Sequence, residues 1–220
     1  MTTLPTSPSS SSRRQLLLAV LASSILSACG RSTPKAQALP SDATVLALGD
    51  SLTQGVGAQA QEAWPHVLAQ RTGWEVVNGG VSGNTSAQAL ERLPDLLEEH
   101  RPALVVISIG GNDFLRQMSA EAAQANIRRM CQLARDSGAQ VLLVAVPQAS
   151  LLAAGTGKLN DHPLYETLAQ ELQLPLLEDA WSQVLSQPAL RSDQVHANAA
   201  GYAQFTEQLL QFVREHGWLP

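Results

Sequence analysis

The stretch ALVVISIGGND, residues 103–113, runs seven nearly unbroken apolar positions straight into two glycines, an asparagine and an aspartate. A strand with one wet face alternates apolar and polar residues. A run without alternation is buried on both faces, the condition of a strand inside a parallel sheet covered by helices. TVLAL at 44–48, WEVVN at 74–78, QVLLVAV at 140–146 and the short LPLLE at 174–178 read as further strands. Between them lie longer amphipathic stretches, from Trp64 to Arg71, Thr85 to His100, Ala120 to Ser137, Leu164 to Leu172 and Asn198 to His216. Strand and helix taking turns predict an α/β fold of three layers, helix on sheet on helix. Pro94 falls inside the second helical stretch and is expected to break or kink it.

The chain of 220 residues, 45% hydrophobic and 15% charged, suits one domain with a sizeable core. A formal net charge of −5 gives no reason to expect a nucleic-acid partner. The first 29 residues differ from the rest: Arg13 and Arg14 precede a short apolar run from Leu16 to Leu26, and small residues follow up to Cys29. That is the layout of a secretory signal, too short to span a bilayer. LSAC, ending at Cys29, resembles a bacterial lipobox, which implies lipidation of Cys29 and a membrane anchor. SRRQLLL also resembles a twin-arginine export signal. Residues 30–42, rich in Ser, Pro, Gly and Ala, read as a tether, and the domain is expected over 43–216. Cys131 sits in a helical stretch and reads as a small buried hydrophobe; with Cys29 lipidated no intrachain disulfide can form.

Ligands of such sheets gather beyond the carboxyl ends of the strands. Three segments there, Gly49–Gly55 (GDSLTQG), Asn78–Ser86 (NGGVSGNTS) and Gly110–Asp113 (GGND), are expected to converge on one edge. Acyl transfer needs a nucleophile, a base, a group orienting the base and donors for the developing oxyanion. Ser51, at a Gly-flanked turn after the first strand, is a candidate nucleophile and equally a candidate helix N-cap. Asp193 lies three residues before His196, a spacing at which a carboxylate can orient an imidazole. Asn112 offers a side-chain amide, Gly83 a backbone N–H that a ligand can approach closely, and Ser51 a third donor. Each has an ordinary alternative: GGND as a strand-to-helix turn, Gly83 as a tight turn with positive φ, Asp–x–x–His as a chance surface pair.

Taken together and in order, GDSLTQG, the glycine of VSGNTS, GGND and DQVH resemble the four blocks of the SGNH (GDSL) hydrolase family. The resemblance spans about Thr44 to Val213, and residues 62–86 look most like its bacterial periplasmic arylesterase and lysophospholipase/acyl-CoA thioesterase branch. It implies a flavodoxin-like sheet of five parallel strands in the order 2-1-3-4-5. It further implies a serine ester hydrolase in which Ser51 attacks, His196 is the base, Asp193 orients it, and Ser51, Gly83 and Asn112 form the oxyanion hole. No cofactor or metal is implied, the substrate is a small ester or acyl lipid, and a monomer is expected. Two departures stand out. His196 is followed by Ala197 where the family often has Pro, so its loop is expected to be slightly freer. QASLLAAGTGKLNDHPL, residues 148–164, lacks the family's Asn-Tyr-Gly pattern where the acyl pocket would lie, with Leu151 and Leu152 either facing an acyl chain or packing on the sheet.

Two rivals remain on the residues alone. One is a metal-dependent phosphoesterase with Asp50, Asp113 and His196 as ligands. The other is a non-catalytic lipoprotein that holds an acylated ligand in the same cleft. A histidine base predicts activity that falls below about pH 6.5, where a free imidazole protonates.

Overall fold

The computed structural model describes residues 1–3, 36–148 and 158–219. The chain divides into two units, Met1–Ser32 and Thr33–Pro220, and every element named here belongs to the second. The lipobox Cys29 and Leu151 and Leu152 lie outside the described residues.

Five strands form one parallel sheet: β1 (Thr44–Gly49), β2 (Glu75–Gly80), β3 (Leu104–Ser108), β4 (Gln140–Val144) and β5 (Leu176–Leu177). Their order is β2-β1-β3-β4-β5, as the family resemblance implies, and every pairing is parallel. β1, β3 and β4 are almost wholly buried, whereas β2, at an edge, is partly wet. The helices are α1 (Ser51–Gln54), α2 (Trp64–Thr72), α3 (Ser86–His100), α4 (Gly111–Leu115), α5 (Ala120–Asp136), α6 (Leu164–Leu172), α7 (Ala180–Ser186) and α8 (Ala199–Glu215).

Because successive strand residues point to opposite faces, β1 feeds two cores. Val45 and Ala47 pack with Trp64 of α2, Trp181 of α7 and Phe205 of α8. Leu46 and Leu48 pack with Leu93 of α3, Ile127 of α5 and Leu168 of α6. Cys131 lies in this second core, unpaired, its thiol pushed up to about 12 by burial.

Pro94 does not break α3, which runs unbroken through it. Its ring is on the exposed side of the helix, where the carbonyl it frees can turn to water. At the other end of the tether segment, Leu39 is buried in the first core and its N–H donates to the Trp218 carbonyl at 2.9 Å. The packed chain thus reaches from Ala36 to Leu219, wider than the expected 43–216, and the last residues of the expected tether lie against the core rather than free of it.

Candidate active site

β1 ends at Gly49 and the chain turns at once into the four-residue α1. Asp50 is the N-cap, its Oδ1 accepting from the Leu52 N–H at 3.0 Å. The capping role open to Ser51 therefore falls to its neighbour, and Ser51 is left as the first helical residue with a side chain free for another partner. That partner is His196: its Nε2 lies 3.0 Å from Ser51 Oγ, although 145 positions separate them in the chain.

His196 sits in a short loop before α8, held at both ends. Asn198 caps α8 through Gly201 N–H, while its Nδ2 donates to the carbonyls of Ala189 and Arg191. Arg191 bridges Ala197, which is fully buried. The loop is thus closed by Asn198 without a proline at 197, contrary to the freer loop expected. The Asp193 carboxylate accepts from His196 Nδ1 at 2.7 Å with one oxygen and from the N–H groups of Val195 and His196, each at 2.8 Å, with the other. These bonds set the tautomer, with Nδ1 donating to Asp193 and Nε2 accepting from the Ser51 hydroxyl. Partial burial acts to raise the Asp193 carboxyl. The bonds from the His196 ring and the two N–H groups outweigh it and hold the group below its usual range. Its side chain remains 53% exposed, against 19% for His196.

The other two strand ends complete the cleft. Gly83 has φ +78°, so the turn expected there and the donor expected there are the same feature. The N–H of Ser82 donates to Gln54 Oε1 and that of Asn84 to the Val81 carbonyl, yet among the described residues no hydrogen bond engages the Gly83 N–H. Asn112 stands on α4; its Nδ2 donates to the Asn84 carbonyl at 3.0 Å and lies only loosely, at 3.5 Å, from Asp50 Oδ2. Asp50, Ser51, Ser82, Gly83, Gly111, Asn112, Val195 and His196 together line a cleft of about 170 Å³. The convergence expected of the three strand-end segments is therefore present. Burial raises the Asp50 carboxyl, despite its cap bond, to about 6.

Asp113 points elsewhere. Its carboxylate accepts from the Ser86 N–H at 2.8 Å and the Ser86 hydroxyl at 2.6 Å, anchoring the first turn of α3. The ligand set Asp50, Asp113 and His196 is thus not assembled, and no group of three His, Cys, Asp or Glu suited to a metal occurs among the described residues. His162 belongs to a loop, stacked on Phe114 with ring centroids 4.3 Å apart.

Sequence reasoning missed Asn84 and Arg92. Arg92 Nε donates to Asn84 Oδ1 at 2.9 Å and Nη2 to the Gly49 carbonyl at 2.8 Å. Ala89, Leu93 and Leu97 form the buried stripe of α3, and Arg92 sits at its edge, where helical spacing alone reads a charged residue as facing solvent.

The model of the GDSL-like lipase/acylhydrolase family matches residues 47–204. Thioesterase 1/protease 1/lysophospholipase L1 of Escherichia coli K12 is 35% identical over 163 residues, covering 70% of this chain and 76% of that protein. The arylesterase of Vibrio mimicus is 30% identical over 181 residues, covering 78% and 88%. Among solved structures, that of TesA superposes with a TM-score of 0.68 at 30% identity, covering 79% of this chain and 99% of the other.

Proposed function

As the chain belongs to the GDSL-like lipase/acylhydrolase family and is a serine ester hydrolase, we propose that Ser51, His196 and Asp193 are its catalytic triad and the Ser51 and Gly83 amides with the Asn112 side chain its oxyanion hole. The observation that carries the reading is the continuous relay from Asp193 to His196 to Ser51, at 2.7 and 3.0 Å.

In this mechanism Ser51 Oγ bonds to the acyl carbon as its proton passes to His196 Nε2. The carbonyl oxygen, now negative, is received by the three donors, the Gly83 N–H having no partner among the described residues. The bond to the leaving group breaks, His196 delivers the proton to the departing alcohol or thiol, and the acyl group remains on Ser51. Water, deprotonated by His196, then releases the acid and restores the serine.

The substrates proposed are aryl esters, lysophospholipids or acyl thioesters, which present the same carbonyl. This range is supported by the activities named for the Escherichia coli and Vibrio mimicus relatives. Leu115, an exposed large apolar side chain, lines the cleft and suits an aliphatic acyl chain. The protein is further proposed to act in the periplasm, tethered through a lipidated Cys29. The support is the Arg pair, the short apolar run and the lipobox-like LSAC. A Cys29→Ser variant that still fractionates with membranes would remove the anchor.

The deciding experiment is hydrolysis of p-nitrophenyl esters of graded chain length by the wild type, by Ser51→Ala and by wild type with chelator. Cleavage lost only in the variant is expected. Activity in the variant, or its loss to chelator, overturns the serine assignment.

A further inference from the structure

Arg92 is half-buried, and desolvation lowers its guanidinium from the usual value. No ion pair among the described residues includes it. A cation withdrawn from water without a counterion is unfavourable, and helix packing alone would be served as well by Leu or Met. What its planar fork does instead is join two backbone segments. Nη2 holds the carbonyl of Gly49, two residues before Ser51, and Nε holds the side chain of Asn84, the residue after Gly83. The loop between is fixed at its other polar groups too: Gln54 takes the Ser82 N–H, Arg116 donates to the Gly83 carbonyl at 2.8 Å, and Asn112 donates to the Asn84 carbonyl.

We propose that Arg92 is a positioning residue for ester hydrolysis: by bridging Gly49 O and Asn84 Oδ1, its guanidinium fixes the separation of the Ser51 and Gly83 amides that receive the oxyanion. The inference rests on the assignment of those amides made above. Arg92 touches no reacting atom. It acts because donors help only when aimed at the site where charge develops, and a misplacement of about 1 Å can lower the rate by about 10²-fold. A lysine keeps the charge but is a single point donor and cannot hold both acceptors in one geometry.

The test compares the full-length wild type with Arg92→Met and Arg92→Lys. Active sites are first counted with a chromogenic phosphonate that labels Ser51. Then kcat and KM are measured on p-nitrophenyl butyrate, together with the affinity of a trifluoromethyl ketone of the same acyl length, whose hemiketal oxyanion occupies the same donors. The expected result is a kcat per titrated site lowered roughly 10–10²-fold in Arg92→Met and less in Arg92→Lys, with KM within about twofold and ketone affinity falling in step with kcat. Per-site kcat within about twofold of wild type in both variants overturns the proposal, as does a fall in kcat without loss of ketone affinity. Should Arg92→Met lack a cooperative melt, Arg92→Lys decides by the same criteria. A wild type that the phosphonate fails to label at Ser51 overturns the serine assignment itself, and this inference with it.

Discussion

Asp193 divides its work between its two oxygens: one meets the imidazole, the other accepts the N–H groups of Val195 and His196 and so shapes the loop that carries the base. Asp193→Asn can keep an acceptor for the loop while losing the charge that stabilises the imidazolium. It is expected to lower kcat by roughly 10²-fold or more with its melting temperature near wild type. Asp193→Ala removes both functions and should lower kcat and melting temperature together; equal melting temperatures for the two variants would deny the loop role. Asn112→Ala is expected to lower kcat by roughly 10²–10³-fold if its amide meets the oxyanion. An unchanged turnover would remove it from the mechanism. Asp50 makes a prediction about stability. Its carboxyl, raised by burial from 3.8 to about 6, is favoured neutral in the fold. The stabilising contribution of this group is therefore full below about pH 4 and is lost as pH rises through about 6, a change on the order of 2–3 kcal/mol. Asp50→Asn, neutral at every pH, should gain melting temperature relative to wild type between pH 4 and 7. A difference constant across that range would show that Asp50 does not titrate there.

At the scale of elements, α1 is held by close approach to β2. A Cβ on Gly80 would run into the Gln54 backbone nitrogen and stand 2.6 Å from the Thr53 carbonyl carbon. Gly80→Ala should therefore push α1 from the sheet, destabilising the protein by about 1–3 kcal/mol, and shift Ser51 enough to lower kcat. Wild-type kinetics and melting in that variant would show that α1 yields without strain. The roles of Ser51, His196 and Asp193 could be proposed from sequence because chemistry restricts the residue types and block order restricts their places. Within GGND the amide of Asn112 could be proposed as a donor, but the part played by Asp113 could not. Adjacent residues on a helix point about 100° apart, so Asn112 meets the cleft while Asp113 turns to the start of α3, and only the docking of α4 shows that Ser86 is what Asp113 meets. Arg92 was hidden for a similar reason: a charged residue in an amphipathic helix reads as solvent-facing until the acceptors opposite it are known.

Across the whole molecule, the sheet was legible because burial on both faces leaves an unbroken aliphatic signature in β1, β3 and β4. Strand order was not legible from periodicity, since it is set by which crossovers pack, and it entered only through the family resemblance. The aromatic residues show what such patterns omit. Tyr165 donates to the Ile109 carbonyl and Trp181 Nε1 to Ser108 Oγ at the end of β3, and Tyr202 donates to the Val56 carbonyl just beyond α1, each reaching from a helix to the chain around the site. The 145 positions between Ser51 and His196 also have a temporal meaning. Bringing residues so distant in sequence together costs loop-closure entropy that the contacts must repay. A chain whose last helix has not yet docked has its nucleophile but no base, so it stays inert toward esters. Recovered esterase activity during refolding therefore reports that the segment carrying His196 has reached Ser51.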